Sequence, residues 1–281
     1  MKSTKSSTQL SDLANAAADN NRWPRLPYNH VDEPHFVFIL TLPYAGSTII
    51  AKYLATSPNI GLLRKNGEGQ QLVPGIARNW NSNATFDGES IRSAWLNRYQ
   101  EINHNGRLEI IVEKSPPNMV RIDALRSLFS RTTCVVNNRD PVAFCSSTLF
   151  RNAPNIEKLG DADRLQYLQK FAMAWVTRSK TLKRLASAQS LMTCSYEQFC
   201  ELPESLKTIF EKATGEAINP KKDPLLQIKD YPRSRIENKN REQVARLSET
   251  EIEFVVKILH PHSALTSFFG YTPESWLLGT E

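Results

Sequence analysis

Four short apolar runs most constrain how this chain of 281 residues can fold. Three of them are rich in β-branched residues, and each ends at charged, polar or turn-forming residues. Runs this short suit strands of a parallel sheet that is covered on both faces. They are HFVFILTL (35–42), LEIIVE (108–113), TTCVVNN (132–138) and SLMTCSY (190–196).

Helix-like segments separate these runs, and the alternation predicts an α/β fold, a parallel β-sheet flanked by helices. The longest segment, 161–187, carries apolar residues at helical spacing, and shorter ones follow the first three runs at 47–57, 118–129 and 141–151. No internal repeat is visible. We therefore expect a single domain over 34–281, preceded by a loosely ordered polar segment, 1–33.

Two polar stretches interrupt the alternation. Residues 61–107 are rich in Gly, Asn and Gln and predict loops and short helices, whereas 214–243 predicts a long basic loop. Structureless loops of such length in a compact domain are usually functional lids or disordered segments. We expect them to be mobile elements around one mouth of the fold.

Charge and cysteine content limit the classes of partner. A net charge of +6 fits an anionic ligand and equally a basic surface without a special partner, while the absence of a dense Lys/Arg block argues against nucleic acid. The four cysteines show no CxxC spacing, which favours reduced thiols. With no signal-peptide pattern and no apolar run near the roughly 20 residues that span a bilayer, we expect a soluble, cytoplasmic protein.

The first run leads directly into a turn of small residues. Residues 43–48, PYAGST, connect this strand to a helix-like segment. Free N–H groups at a helix N-terminus favour an anion, and Ser47 and Thr48 add hydroxyl donors. An ordinary N-cap serine of a core helix is the alternative. Neither GxxxxGK[ST] nor GxGxxG is present, which argues strongly against a kinase or another NTPase.

Two further predicted strands end in cationic residues. Arg139 ends the third, where ligands of open α/β sheets bind, and Ser147 follows eight residues later in a helix-like segment. A guanidinium can hold a phosphate with two parallel hydrogen bonds. Lys114 follows the second strand. An Arg139–Asp140 surface pair and a solvated lysine are the alternatives, but three anion-suited strand ends in one sheet favour a single anion site.

Four segments together, PYAGST, EKSPPN, RDPVAFCSS and SYEQF, resemble the sulfotransferases that use 3′-phosphoadenosine 5′-phosphosulfate (PAPS). The resemblance covers about 35–270 and implies a P-loop-like sulfotransferase fold, with PAPS as co-substrate, 3′-phosphoadenosine 5′-phosphate (PAP) as product and no metal. The resemblance implies that the first loop holds the 5′-phosphosulfate and that Arg139 and Ser147 hold the 3′-phosphate. It also implies that Tyr196 of SYE lies near the adenine or its ribose and that the late basic loop supplies another 3′-phosphate contact. The residues implied for nucleotide binding are Tyr44, Ala45, Gly46, Ser47, Thr48, Arg139, Ser147, Tyr196, Arg235 and Lys239.

The resemblance also implies the catalytic residues. Cytosolic family members carry a base histidine where this chain has Pro116, so that base is missing. Tyrosylprotein sulfotransferases use a glutamate after the first helix, which implies Glu68 as the base and Lys114 as the cation at the leaving oxygen. Gln71 stands where that branch often has Arg, which argues against a sulfated-tyrosine acceptor in particular.

Tyr44 is the main departure from the family, because most relatives carry Lys or Arg at this loop position. A tyrosine hydroxyl donates one hydrogen bond and brings no charge, so a catalytically impaired module that binds PAPS or PAP stays as the alternative. The sequence does not distinguish between a sugar, a steroid, an alkaloid and a peptide as the acceptor. The Asn/Gln-rich insert favours a polar small molecule that is sulfated on a hydroxyl or a nitrogen.

Other conspicuous residues receive structural interpretations. His260 and His262 lack a partner cluster for a metal, and His104 fits a turn. Aromatic residues that could line an acceptor pocket are expected by default in the core: Trp80, Trp95, Tyr99, Phe144 and Trp175.

Overall fold

A computed structural model describes residues 33–80, 87–228 and 231–278 of the chain. Its sheet has five parallel strands in the order β2-β3-β1-β4-β5. The strands are β1 (His35–Thr41), β2 (Ile60–Gly61), β3 (Ile110–Glu113), β4 (Thr132–Asn138) and β5 (Met192–Ser195). The α/β fold predicted from the sequence is confirmed, whereas the N-terminal segment proposed for 1–33 lies almost wholly outside the described residues.

Helices cover both faces of the sheet. They are α1 (Ser47–Leu54), α2 (Gly88–Ile102), α3 (Ile122–Ser127), α4 (Pro141–Asn152), α5 (Asp161–Gln189), α6 (Tyr196–Glu201), α7 (Pro203–Thr214), α8 (Asn240–Val244), α9 (Glu249–Leu259) and α10 (Ser263–Phe268). Short 3₁₀ helices lie at Gly69–Leu72, Ile76–Arg78, Pro116–Val120, Ile156–Lys158, His260–His262 and Pro273–Leu277. No helix within the described ranges is both long enough and apolar enough to cross a membrane.

Alternate side chains of β1 supply the two apolar layers, and all seven of its residues are buried. Phe36 and Phe38 face a cluster that includes Trp95 and Phe129, whereas Val37 and Ile39 face the second cluster. The rings of Phe36 and Phe129 lie 4.0 Å apart. Each such buried side chain contributes about 1.5–3 kcal/mol.

The sequence prediction was incomplete in three places. Strand β2 was missed because its two residues are too short for a periodic pattern. The insert at 61–107 contains the 15-residue helix α2, which is longer than the short helices expected there. The helix predicted over 118–129 is a 3₁₀ helix, Pro116–Val120, followed by α3, because the backbone of Arg121 between them, with a φ of −132° and a ψ of 16°, is not helical.

Strand order places a crevice at the centre of the sheet. After β1 the chain forms β2 and β3 on one side, and it then crosses to form β4 and β5 on the other. The order therefore reverses between β1 and β4, and ligands of open α/β sheets bind outside the carboxyl ends of the strands at such a point. The segments after β1 and β4 carry the PYAGST loop and Arg139.

Candidate active site

A cavity of about 780 Å³ opens at this edge of the sheet. Eleven of the twelve residues assigned to the site from the sequence line it; Ala45 is fully buried in the loop and is not among them. The eleven are Tyr44, Gly46, Ser47, Thr48, Glu68, Lys114, Arg139, Ser147, Tyr196, Arg235 and Lys239. The structure thus brings the predicted residues to one place, and their individual roles stay predictions.

Gly46 fixes how the PYAGST loop enters α1. Its φ of 78° is left-handed, and a Cβ there would lie 2.2 Å from Cδ2 of Tyr196. Only glycine meets both demands without strain. Because Gly46 stands at the N-cap position, no side chain caps the first-turn N–H groups of α1. Those groups and the helix dipole suit an anion in the cavity.

Asn137, near the end of β4, supports the loop from below, a role that the sequence did not reveal. Its amide Nδ2 donates to Oγ1 of Thr41 and to the carbonyl oxygen of Ala45, both at 2.9 Å. The available signal was the pair of asparagines at 137 and 138, which directly follows the buried apolar residues 134–136. A buried amide with this pattern holds β4 and the loop in fixed relation.

Arg139 is buried and held on several sides. Its Nε donates to Oδ1 of Asn240 at 2.8 Å, while one terminal nitrogen contacts the carbonyl oxygen of Tyr44 at 3.0 Å and Oγ of Ser147 at 3.3 Å. The guanidinium carbon lies 4.5 Å from the centre of the Tyr196 ring. The two residues expected at a 3′-phosphate, Arg139 and Ser147, are therefore neighbours on the cavity wall.

A carboxylate supports this arginine indirectly. Glu197 accepts from Nδ2 of Asn240 at 2.6 Å, from the backbone N–H of Asp140 at 3.0 Å and from the hydroxyl of Tyr271 at 3.2 Å. Since the neutral amide of Asn240 stands between Glu197 and Arg139, the carboxylate orients the guanidinium without directly neutralising it. Glu197 lies in SYEQF and Asn240 in the basic loop 214–243, but sequence reasoning gave neither a role, because no spacing links them to Arg139.

Lys114 and Glu68, assigned from the sequence to separate tasks, form one ion pair. Nζ of Lys114 lies 2.5 Å from Oε1 of Glu68, and the two side chains are 3% and 19% exposed. The amides of Gln70 and Gln71 also donate to Oε2 of Glu68, each at 3.3 Å. Consequently a carboxylate and an ammonium group stand together at the β3 side of the cavity.

A fully buried glutamate, Glu113, anchors the segment that carries Glu68. It accepts from the backbone N–H of Gly69 at 2.6 Å, from that of Ser115 at 2.9 Å and from Nδ2 of Asn118 at 3.1 Å. Burial raises the pKa of Glu113 to about 7, although these hydrogen bonds and Lys114 oppose the rise. Glu113 therefore links the end of β3 to the Glu68 segment.

The hydroxyl of Tyr44 is engaged by α4. The backbone of Tyr44 is left-handed with a φ of 62°, and the hydroxyl donates to Oδ1 of Asn152 at 2.8 Å, near the end of α4. At the β3 side of the cavity, Lys114 contributes a positive charge beside the carboxylate of Glu68.

Tyr196, predicted near the adenine or its ribose, and the two cations predicted for a 3′-phosphate contact differ in how firmly they are held. The hydroxyl of Tyr196 donates to the carbonyl oxygen of Glu237 at 3.0 Å and accepts from the backbone N–H of Lys239 at 3.1 Å. The Lys239 side chain is 47% exposed and pairs with Glu237. Arg235 is 69% exposed and pairs with Asp223. Tyr196 is thus a fixed part of the wall, and the two cations lie at its rim.

The remaining conspicuous residues lie mostly outside the cavity. Trp95, Phe144 and Trp175 are fully buried in the core, whereas Trp80 lines the cavity. His260 and His262 lie in an exposed 3₁₀ segment. Across the described ranges, no group of three or more His, Cys, Asp or Glu residues is arranged to hold a metal ion.

Comparison with known proteins identifies a family. A sequence profile described as the sulfotransferase family matches residues 34–211. No curated protein matches the chain. Among solved structures, a sulfotransferase from Alicyclobacillus acidocaldarius is similar at 14% identity over 88% of this chain and 99% of its own, with a TM-score of 0.54. A second, from Mycobacterium tuberculosis H37Rv, is 14% identical over 89% of this chain and 78% of its own, with a TM-score of 0.46.

Proposed function

The chain belongs to the sulfotransferase family, and on this basis we propose that its cavity binds PAPS and transfers the sulfuryl group to a hydroxyl or a nitrogen of a polar small molecule. One observation carries the choice of donor. Arg139 and Ser147 lie side by side, 3.3 Å apart, on the wall of the cavity that also receives the N-terminus of α1. Two anion-binding elements in one cavity fit a nucleotide that is phosphorylated at both the 3′ and the 5′ position.

The proposed orientation of the nucleotide follows from these two elements. The uncapped N-terminus of α1, with Ser47 and Thr48, takes the 5′-phosphosulfate, and Arg139 with Ser147 takes the 3′-phosphate. Tyr196 borders the adenosine, while Lys239 and Arg235 approach from the rim. The sulfuryl group then faces Lys114 and Glu68 on the β3 side.

The chemistry assigned to this pair is in-line displacement at sulfur. Glu68 accepts the proton of the acceptor as the new bond to sulfur forms. The bond from sulfur to the phosphate oxygen breaks, and that oxygen leaves with the electron pair. The ammonium of Lys114 stabilises the negative charge that develops on it, in a buried position where such stabilisation is strongest. The cost of burying this ammonium is offset by Glu68 before the nucleotide binds.

A second candidate function is a module that binds PAPS or PAP but transfers poorly. Two contacts favour it: the hydroxyl of Tyr44 is directed to Asn152, and Lys114 is engaged by Glu68. In that case neither the loop position nor Lys114 would offer a free cation to the leaving oxygen. Replacement of Tyr44 by lysine would restore charge to the loop and raise turnover.

Turnover of PAPS separates these candidates. The purified protein is incubated with PAPS and a panel of hydroxyl and amine acceptors, and PAP release is followed by chromatography. The first proposal predicts transfer that falls roughly 100-fold or more in Glu68→Gln and in Lys114→Met. Glu101→Gln, which removes an exposed carboxylate paired with Arg98, serves as the control and should retain full activity.

The outcomes are distinct. Tight PAP binding without transfer to any acceptor supports the second candidate. If calorimetry detects no PAP binding at all, both are wrong.

A further inference from the structure

One arginine on the cavity wall, Arg246, has a charge that no carboxylate balances. The lysine and arginine side chains that line the cavity are Lys114, Arg139, Arg151, Arg235, Lys239 and Arg246. Lys239 pairs with two carboxylates, Glu237 at 2.6 Å and Glu242 at 3.3 Å. None of the ion pairs found among the described residues includes Arg246. A guanidinium in this situation suits an anionic group of a ligand.

The guanidinium of Arg246 is held on one face and at one edge. Its central carbon lies 3.6 Å from the centre of the Phe150 ring, a cation–π contact. Its Nη1 donates to Oε1 of Gln243 at 3.3 Å. A guanidinium carries five N–H donors in one plane, so most of them stay available to a ligand in the cavity.

Gln243 connects Arg246 to the two residues assigned to the 3′-phosphate. Its Oε1 also accepts from Oγ of Ser147 at 3.3 Å, and that hydroxyl in turn accepts from Nη1 of Arg139 at 3.3 Å. Nη1 of Arg246 therefore lies no farther than twice 3.3 Å from Oγ of Ser147. A phosphate whose oxygens each accept a hydrogen bond of about 2.9 Å spans such a gap.

A spacing of three residues produces this arrangement. Asn240, Gln243 and Arg246 follow one face of α8 and of the turn after it. Their contacts along the end of β4 and along α4 are, in the same order, Arg139, Ser147 and Phe150. Ser146 fixes the two helices together, because its Oγ donates to the carbonyl oxygen of Gln243 at 2.5 Å. The place of Arg246 beside Ser147 is therefore set by the packing of α8 on α4.

We propose that Arg246 is the second cation of the 3′-phosphate site and determines specificity for a nucleotide that carries this phosphate. This inference rests on the proposed function. The phosphate accepts hydrogen bonds from Arg139 at one oxygen and from Arg246 at another, while the hydroxyl of Ser147 turns from Gln243 to the phosphate. Lys239, which the family resemblance implies at this phosphate, contributes less because two carboxylates already balance its charge.

Calorimetric titration with PAP and with AMP measures the preference for the 3′-phosphate in the wild type and in Arg246→Leu. The matched control is Arg241→Leu. Arg241 is also exposed and lies on α8, but it lines a separate cavity. Both changes remove one positive charge, so a general electrostatic effect would appear in both. A second variant, Arg246→Gln, repeats the test in case leucine disturbs the packing on Phe150.

The ratio of the Kd for AMP to the Kd for PAP should fall roughly tenfold in both Arg246 variants and keep its wild-type value in Arg241→Leu. The affinity for AMP should not change. An unchanged ratio in the Arg246 variants, an equal weakening of PAP and AMP, or a larger loss in Lys239→Met than in Arg246→Leu would overturn the inference. If the wild type itself does not distinguish PAP from AMP, it is the proposed 3′-phosphate site that fails, and the two failures are thereby distinguished.

Discussion

Replacing Gly46 by alanine should damage both the fold and the nucleotide site. The added Cβ would lie 2.2 Å from Cδ2 and 2.8 Å from Cε2 of Tyr196, closer than non-bonded carbons approach. The backbone at Gly46 also has a φ of 78°, which L-residues rarely adopt. Either the loop or the Tyr196 ring must move.

The size of the effect can be worked from these two causes. A left-handed alanine costs about 1–2 kcal/mol, and overpacking of a buried contact costs about 1–3 kcal/mol more. Gly75→Ala is a matched control, because Gly75 has a φ of 81° and nothing within 4 Å of its would-be Cβ. The free energy of unfolding should therefore fall by about 2–5 kcal/mol in Gly46→Ala but by only about 1–2 kcal/mol in Gly75→Ala.

Urea unfolding followed by both fluorescence and circular dichroism measures this difference and tests two-state behaviour. Combining Gly46→Ala with Tyr196→Ala completes a double-mutant cycle. Without the ring, the penalty of Gly46→Ala should drop to that of Gly75→Ala. Because Tyr196 packs on Arg139, Gly46→Ala should also weaken PAP binding by roughly tenfold, whereas Gly75→Ala should not.

Equal losses of stability in Gly46→Ala and Gly75→Ala would refute this reasoning. So would a penalty at Gly46 that persists when Tyr196 is replaced.

Two further predictions concern buried polar residues. Burial raises the pKa of Glu113 to about 7 from an ordinary value of 4.5. Between pH 4.5 and pH 7 the folded protein therefore holds a proton on Glu113 that the unfolded chain releases. The contribution of Glu113 to the free energy of unfolding consequently falls as the pH rises through this window. The free energy of unfolding of the wild type relative to Glu113→Gln should drop by up to about 3 kcal/mol over that window in urea titrations, and parallel profiles would contradict the assignment. Asn240→Leu removes the acceptor for Nε of Arg139, so calorimetry should show PAP binding weakened roughly tenfold while AMP binding is unchanged; equal effects on both ligands would indicate a general disturbance instead.

Most of the fold could be predicted from the sequence because the core strands have a characteristic residue pattern. All seven residues of β1 are buried, and so the run is apolar without alternation, which is typical of a doubly covered parallel strand. Strand β2 carries no such signal, since two residues cannot show a period. The break before α3 lies at Arg121, whose φ of −132° is not helical, and its residue type does not mark it as a helix boundary.

The residue pattern alone predicted the candidate site where strand ends fix it, whereas Glu68, Arg235 and Lys239 were implied by the family resemblance. Arg139 and the PYAGST loop follow directly from adjacent strands, so their convergence was predictable. The pairing of Lys114 with Glu68 was not, because 46 residues separate them and the path of the intervening insert is set by tertiary contacts such as Glu113 to Gly69. The same holds for Asn240, 101 residues from Arg139.

Calorimetric titration with PAP and with AMP, which lacks the 3′-phosphate, tests the central claim most directly. If Arg139 and Ser147 hold that phosphate, the wild type binds PAP roughly 100-fold more tightly than AMP, since two charge-assisted hydrogen bonds are at stake. Arg139→Leu should lose this preference and retain its affinity for AMP. Equal affinity of the wild-type protein for the two nucleotides would contradict the account.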